Sequence, residues 1–391
     1  MSVHAAVDIP ADAEPGAFLY WPESPYWSFQ VLRLFAQAST GGADITEVHL
    51  AVRELRPGDI EGWYDALHSL ARRVEEAGDG ARAAGDVITA RDAWYRASNY
   101  YRASIFFLLP DDERYRSGVG DRRRCFQKAM PFDDLRIESV EIPFENGSLP
   151  GYLFHKPAPS DRLPVVMIGG GADSVCEELY FALGRQLAER GFLVLTYDGP
   201  GQGLARLRGH LLRHDWEVVA GAAIDFLEGV EVADAERVAI VGQSLGGLFA
   251  VRAAAYEPRL AGAVAWGAQW DIQAQISAKL AVGGHTIDHL AALFPQMLGV
   301  AGTDAALAAL APFRIPVVDA MHCPVLIVHG AADTIVPAEL ADRLFDALPG
   351  GDKELKVFEY GEPGCEHCQC DSTAASASVI GSWLRRRLGP R

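Results

Sequence analysis

The hydrophobic pattern of the chain changes character near Phe132. Upstream, large apolar side chains return at helical spacing. Trp63, Leu67, Leu70 and Val74 follow Pro57-Gly58-Asp59, a sequence suited to starting a helix, and Val87, Trp94, Tyr101, Ile105 and Leu108 continue in the same style. Downstream, short β-rich runs alternate with helical text, at residues 137–144, 152–155, 165–168, 192–197, 238–241, 263–266, 325–328 and 355–360. That alternation predicts an α/β fold whose mostly parallel sheet of about eight strands is covered by helices on both faces. The first two runs, separated by Asn146-Gly147-Ser148, leave no room for a crossover helix and predict an antiparallel hairpin at the sheet edge. From 271 to about 319 no strand pattern occurs, and the stretch exceeds what a crossover needs, so a helical cap insertion is expected there. The predicted organisation is an N-terminal helical region, 1–131, contributing to lid and substrate pocket, and an α/β domain, 132–391.

Composition narrows the picture. With 391 residues, 49% hydrophobic and 22% charged, the chain can bury a large core and resembles an ordinary soluble protein. A formal charge of −17 argues against nucleic acid as a partner, because phosphate binding relies on clustered Lys and Arg. Arg385-Arg386-Arg387 reads as a solvated last helical turn. Residues 1–16 lack a basic start followed by an apolar stretch, and no run of about 18 apolar residues could span a bilayer. A cytoplasmic location without membrane contact is expected, and six scattered cysteines are expected to be reduced thiols. The first 110 residues hold more large aromatics than one helical layer needs, among them Trp27, Phe29, Trp63, Trp94, Tyr101, Phe106 and Phe107. Most should pack in a core, some could line a pocket, and the surplus raises the expectation of a homodimer.

The chemistry starts at residues 238–247, where a buried apolar strand runs into Gly242-Gln243-Ser244-Leu245-Gly246-Gly247 and then into a helix. Strand, G-x-S-x-G and helix together are the nucleophile elbow of the α/β-hydrolase fold. The small residues at its ends let strand and helix pass closely while the turn aims the serine outward. A serine hydroxyl needs a base, and the base needs an acid to fix its tautomer. In this fold both follow the serine, acid first. Asp333 supplies the acid, just past the strand 325–328 and His329-Gly330. Of the eleven histidines only His367 lies beyond Asp333, in the loop after the last strand. For the oxyanion, Leu245 N–H and the backbone of Gly171 or Ala172, in the loop after strand 165–168, are the candidate donors. Neither Gly169-Gly170-Gly171 nor Asp198-Gly199-Pro200-Gly201-Gln202-Gly203 has the G-x-G-x-x-G or Lys-Ser/Thr pattern of a nucleotide site. Cys365, Cys368, Cys370 and His367 crowd into six positions, too close for one tetrahedral ion, so no metal and no cofactor are expected.

Beyond the triad motifs, Gly170-Gly171-Ala172-Asp173-Ser174 with Glu177-Glu178, Asp198 to Gly203, and His367-Cys368-Gln369 behind a long helical N-terminus carry a closer likeness. From roughly Trp27 to the C-terminus the chain resembles the FrsA-like esterase group, which includes 2,6-dihydroxypseudooxynicotine hydrolase and fungal polyketide-shortening hydrolases. The resemblance implies hydrolysis of a carbon–carbon bond next to a ketone in a small aromatic or polyketide-like substrate. Such a reaction would benefit from an extra acid, for which Asp271, beside Trp270, is a candidate, with helix capping as its alternative role. Asp173 is a further candidate for substrate binding. Three readings stay open: C–C hydrolysis, carboxylester or thioester hydrolysis with related acyl transfer or elimination, and an idle binding protein on a hydrolase scaffold.

Overall fold

The apolar runs of the second half assemble into one eight-stranded sheet. In the computed structural model, which describes residues 18–157, 162–283, 285–317, 319 and 321–389, the strands are β1 (Arg136–Phe144), β2 (Gly147–His155), β3 (Leu163–Gly169), β4 (Leu193–Tyr197), β5 (Ala233–Gln243), β6 (Leu260–Trp266), β7 (Val325–Gly330) and β8 (Lys353–Phe358). Their order is β1-β2-β4-β3-β5-β6-β7-β8. β1 and β2 form the expected antiparallel hairpin, β2 meets β4 antiparallel, and β3 to β8 run parallel. The reading of residues 1–16 falls outside the described residues.

Several boundaries differ from the sequence pattern. Phe144 pairs with Gly147, so the turn is Glu145-Asn146 with Glu145 at φ 49°, and Gly147 and Ser148 belong to β2. β5 begins at Ala233, because a register shift lets Ala233 and Asp234 pair with Leu163 and Pro164. β8 covers Lys353–Phe358 rather than 355–360, leaving Tyr360 exposed in the following loop.

Side chains of the inner strands are buried on both faces, which is why these strands read as continuous apolar runs. In β3, Val165 and Met167 join one core with Trp216, Ala223 and Phe249, whereas Val166 and Ile168 join the other with Leu179, Ile380 and Trp383. After β6 the chain forms helices Ile272–Val282, His285–Leu298 and Gly302–Ala309, the expected helical insertion. Among the described residues no single helix is long and apolar enough to cross a membrane.

Helices Pro25–Ala36, Ile60–Ala83, Val87–Ser104 and Glu113–Ala129 precede the sheet. Asp59, Asp86 and Asp112 cap the last three by accepting from Gly62, Thr89 and Arg114 N–H at 2.9, 3.0 and 2.8 Å. Trp27, Trp63, Leu67, Leu70 and Tyr100 build a core of their own, each fully buried side chain contributing about 1.5–3 kcal/mol. Trp94, Tyr95 and Phe126 instead pack against Tyr180 and Phe181 on one face of the sheet assembly. The second predicted helix stops at Ser104, and Ile105 and Leu108 turn away to meet Tyr115 and Val119.

This helical layer is tied to the loops of the sheet by buried ion pairs. Arg33 forks onto Glu178 and reaches Asp173 at 3.0 Å, Arg102 lies 3.5 Å from Glu178, and Arg122 lies 2.9 Å from Glu177 and 3.7 Å from Asp198. Burial alone would raise the Glu178 carboxyl, but Arg102 and Arg33 hold it below the usual carboxylate range. Burial lowers Arg102 to about 10, so it stays charged at neutral pH.

Within the layer, Glu75 accepts from Arg124 at 2.7 Å, Lys128 at 2.9 Å and Tyr101 at 2.9 Å. Burial acts to raise its pKa, yet these bonds bring it down to about 2. Because the folded value lies below the unfolded one of about 4.3, this stabilisation is complete above that pH and is lost as pH falls through about 2. Glu75→Gln should melt below wild type at pH 7, with the gap closing between pH 4 and 2. A gap independent of pH in thermal melts would contradict this.

Candidate active site

The stepwise build of the sheet locates the site. From β3 the chain moves outward to β4, then returns across β3 to β5, so the loops leaving β3 and β5 diverge at the carboxyl edge and open a crevice. Gly169 and Gly242 are register partners, which brings the Gly170–Ser174 loop beside Ser244.

Ser244 lies between β5 and helix Leu245–Tyr256 with φ 56° and ψ −118°, a conformation L-residues avoid. Its amide donates to the Trp266 carbonyl at 2.7 Å. A Cβ on Gly242 would overlap the Gly246 carbonyl, and one on Gly246 would come within 2.7 Å of the Gly169 oxygen. Any larger residue at either position would force strand and helix apart and release the turn.

The three expected partners meet. His367 Nε2 is 2.9 Å from Ser244 Oγ, and His367 Nδ1 is 2.6 Å from Asp333 Oδ2. Asp333 Oδ1 accepts from Ile335 and Val336 N–H at 2.8 and 2.7 Å. Burial opposes ionisation of Asp333, but His367 and these amides hold its pKa below the ordinary value. The Nδ1 proton therefore faces a carboxylate, leaving Nε2 to accept from the serine.

One supporting group escaped the sequence reading. His329, at the end of β7, is fully buried; its Nδ1 accepts from Ala268 N–H at 3.0 Å, and its Nε2 donates to the Val336 carbonyl at 3.1 Å. Burial lowers its pKa, so it is a neutral spacer behind Asp333. Only its place in an otherwise apolar strand end marked it. The loop bearing His367 is equally constrained: Cys368 and Gln369 both take φ 50°, the Cys368 thiol donates to the Trp266 carbonyl at 3.3 Å, and Trp266 Nε1 donates to Gln369 Oε1 at 2.7 Å. Burial pushes the Cys368 thiol well up, so it stays protonated.

Of the two loop amides considered for the oxyanion, Gly171 is ruled out, because its N–H donates to Ser174 Oγ at 3.0 Å. A Cβ there would also lie 2.9 Å from that of Ser244. Among the described residues nothing accepts from Ala172 N–H, and Leu245 sits at the first helical position, where an amide has no intrahelical partner. The Asp198–Gly203 loop has a part that its glycines did not reveal. Gln202 Nε2 donates to the Gly170 and Gly171 carbonyls at 2.8 and 2.7 Å, fixing the loop beside Ser244.

A cavity of about 70 Å³ opens above the serine, lined by Tyr26, Phe29, Arg33, Asp173, Leu290 and Ile335 among others. Phe29 meets the His367 ring edge-on at 5.7 Å. Asp173 is therefore at the site, bound to Arg33. Trp270 and Asp271 are not: they line a different groove with Lys279 and Arg343, and Asp271 caps helix Ile272–Val282 by accepting from Ala274 N–H at 2.9 Å. Of the two roles the sequence left open for Asp271, the structure shows the helix cap.

His329→Leu should leave the Ala268 amide and the Val336 carbonyl without partners, at about 1–3 kcal/mol for each buried group. Urea unfolding measures this, and a loss under about 0.5 kcal/mol, the level of an ordinary surface substitution, would contradict it.

The profile described as Esterase FrsA-like matches residues 77–306. Hydrolase LUC6 of a Fusarium species is 32% identical over 412 residues, covering 94% of this chain and 98% of LUC6. Alpha/beta hydrolase psoB of Aspergillus fumigatus is 30% identical over 422 residues, covering 94% of each. Alpha/beta hydrolase xenA of Xenoacremonium sinensis is 39% identical over 245 residues, 60% of this chain and 57% of xenA; hydrolase acrC of Aspergillus aculeatus likewise matches over 64% of its length, so the alignments with these two span less than two thirds of each relative. The crystal structure of 2,6-dihydroxy-pseudo-oxynicotine hydrolase shares the fold, with a TM-score of 0.75 at 24% identity over 90% of this chain and 95% of that one. With this sheet order and these matches, the chain belongs to the FrsA-like esterase family and is an enzyme of the α/β-hydrolase fold.

Proposed function

We propose that the protein is a serine hydrolase that cleaves a carbon–carbon bond next to a ketone in an aromatic or polyketide-like small molecule. The observation that carries this reading is the continuous hydrogen-bond chain Asp333–His367–Ser244, ending in a cavity walled by Tyr26 and Phe29. Ser244 Oγ attacks the carbonyl carbon as His367 Nε2 takes its proton, and Ala172 and Leu245 N–H hold the oxyanion. Collapse breaks the C–C bond, and the departing enolate takes the proton from His367. Water, deprotonated in turn by His367, then releases the acid and restores the serine. An aromatic enclosure suits this route, since it excludes water from the carbanion while it is protonated.

Carboxylester hydrolysis is the second reading, and the position of Asp271 favours it. With Asp271 away from Ser244 and Asp173 engaged by Arg33, no spare carboxylic acid among the described residues lines the Ser244 cavity, and an ester needs none. A fluorophosphonate should add once to wild type and not to Ser244→Ala by intact mass; an unlabelled wild type would sink both readings. Asp333→Asn should lower kcat by about four orders of magnitude, as loss of the tautomer-fixing acid does in serine proteases. Release of benzoate from 1-phenyl-1,3-butanedione supports C–C cleavage, whereas turnover of 4-nitrophenyl acetate alone selects the ester reading.

A further inference from the structure

Next to the Ser244 cavity lies a second, smaller one of about 30 Å³, and Ala172 and Asp173 line both. Three arginines reach it, and two have carboxylates against their charge, although the buried Nε and Nη2 of Arg122 make no hydrogen bond among the described residues. Arg102 donates to Asn99 at 2.9 Å and pairs with Glu178, while Arg122 pairs with Glu177 and Asp198. Arg206 is different. Its guanidinium lies over the Tyr115 ring at 5.1 Å and touches the Tyr115 hydroxyl, but among the described residues no carboxylate pairs with it, and its buried Nε has no acceptor.

His289 faces the same space from the helical insertion. It is 8% exposed, stacks on Phe106 with ring centroids 5.0 Å apart, and its buried Nε2 has no partner among the described residues. Burial lowers its pKa to about 4, so the ring is neutral at pH 7 and Arg206 carries the unmatched charge. A buried guanidinium N–H and an imidazole nitrogen without partners, converging on a small chamber, are costly unless something polar occupies it. Its volume suits a group of a few heavy atoms, about two waters' worth, and not an extended tail.

We propose that this chamber is a substrate subsite for an anionic oxygen group, a carboxylate or an ionised enol or phenol, bound by Arg206 and His289 while the substrate carbonyl sits at Ser244. The inference rests on the hydrolase reading and narrows its substrate class to acidic carbonyl compounds. It also gives the Asp198–Gly203 loop a second use. Asp198 Oδ2 accepts from Leu204 N–H at 2.7 Å and its Oδ1 from Cys176 N–H at 2.8 Å, so helix Gly203–Leu207, which bears Arg206, is fixed to the element that follows Ala172 and Asp173. The two ends of a substrate would thus be gauged from one rigid support.

The test uses binding, so that it does not depend on turnover. In Ser244→Ala, calorimetry compares 4-oxo-4-phenylbutanoate with its methyl ester. The acid should bind at least about tenfold more tightly, the minimum for a charge-assisted contact. Adding Arg206→Gln should bring the ratio close to one, and Arg206→Lys, which keeps the charge but loses the fork, should give an intermediate ratio. His289→Phe should reduce the ratio too. Equal binding of acid and ester, no binding of the acid at millimolar concentration, or a ratio unchanged in a folded Arg206→Gln or Arg206→Lys protein would overturn the proposal. Acid preference without any carbonyl hydrolysis by wild type would instead count against the hydrolase reading alone.

Discussion

At the start of helix Leu245–Tyr256 the backbones come so close that neither Gly242, against the Gly246 carbonyl, nor Gly246, against the Gly169 and Gly170 carbonyls at the end of β3, has room for a Cβ. That approach holds Ser244 at φ 56°, and nearly every other feature of the site is arranged around it. Gly171 must be small because Ser244 projects beside it, Trp266 must present its carbonyl to the Ser244 amide, and the same carbonyl anchors Cys368 next to His367. Local strain of this kind persists because the surrounding packing over-determines it. Here the surroundings are two strands buried on both faces, which cannot yield without exposing apolar surface.

A second constraint links the helical layer to that geometry. Among the described residues eight charged side chains, Arg33, Arg102, Arg122, Arg123, Asp173, Glu177, Glu178 and Asp198, meet between the N-terminal helices and the chain segments after β3 and β4, and all but Asp173 and Arg123 are deeply buried. Burying so many ions is justified energetically only if each is paired, and a well-packed apolar contact would often be at least as stable. What charge adds is direction. A fork between Arg33 and Glu178 accepts one alignment of helix Pro25–Ala36, and that alignment sets Tyr26 and Phe29 against the serine and His367.

In the proposed function the two cavities divide the work between reaction and selection. Around Ser244 the polar groups are almost all satisfied by one another, as preorganised electrostatic stabilisation requires. Around Arg206 and His289 they are not. Among the described residues Gln30 Nε2 also lacks a partner at the Ser244 cavity, but only around Arg206 and His289 do an unmatched cation and an open imidazole nitrogen share one chamber, which is what the proposed subsite rests on.

The mostly parallel sheet of about eight strands with its edge hairpin, the elbow and the candidacy of Ser244, Asp333 and His367 could be read from the sequence because each rests on local rules: apolar runs of strand length, small residues at a tight turn, and a chain order of serine, acid and histidine in which only one histidine remained. Local rules fail where side chains meet across long separations. Nothing near Gly171 in sequence says that Ser174 takes its amide, nothing near Gln202 says that it bonds loop carbonyls 31 and 32 residues earlier, and His329 looked like part of a strand. Asp271 looked available until the path of the chain beyond β6 showed it capping a helix. The sequence by itself determined which groups could react, since that depends on residue type and neighbours along the chain. Only the tertiary structure decided which of them face the same space, because burial, pairing and the direction of a hydrogen bond are set by residues that the sequence places far apart.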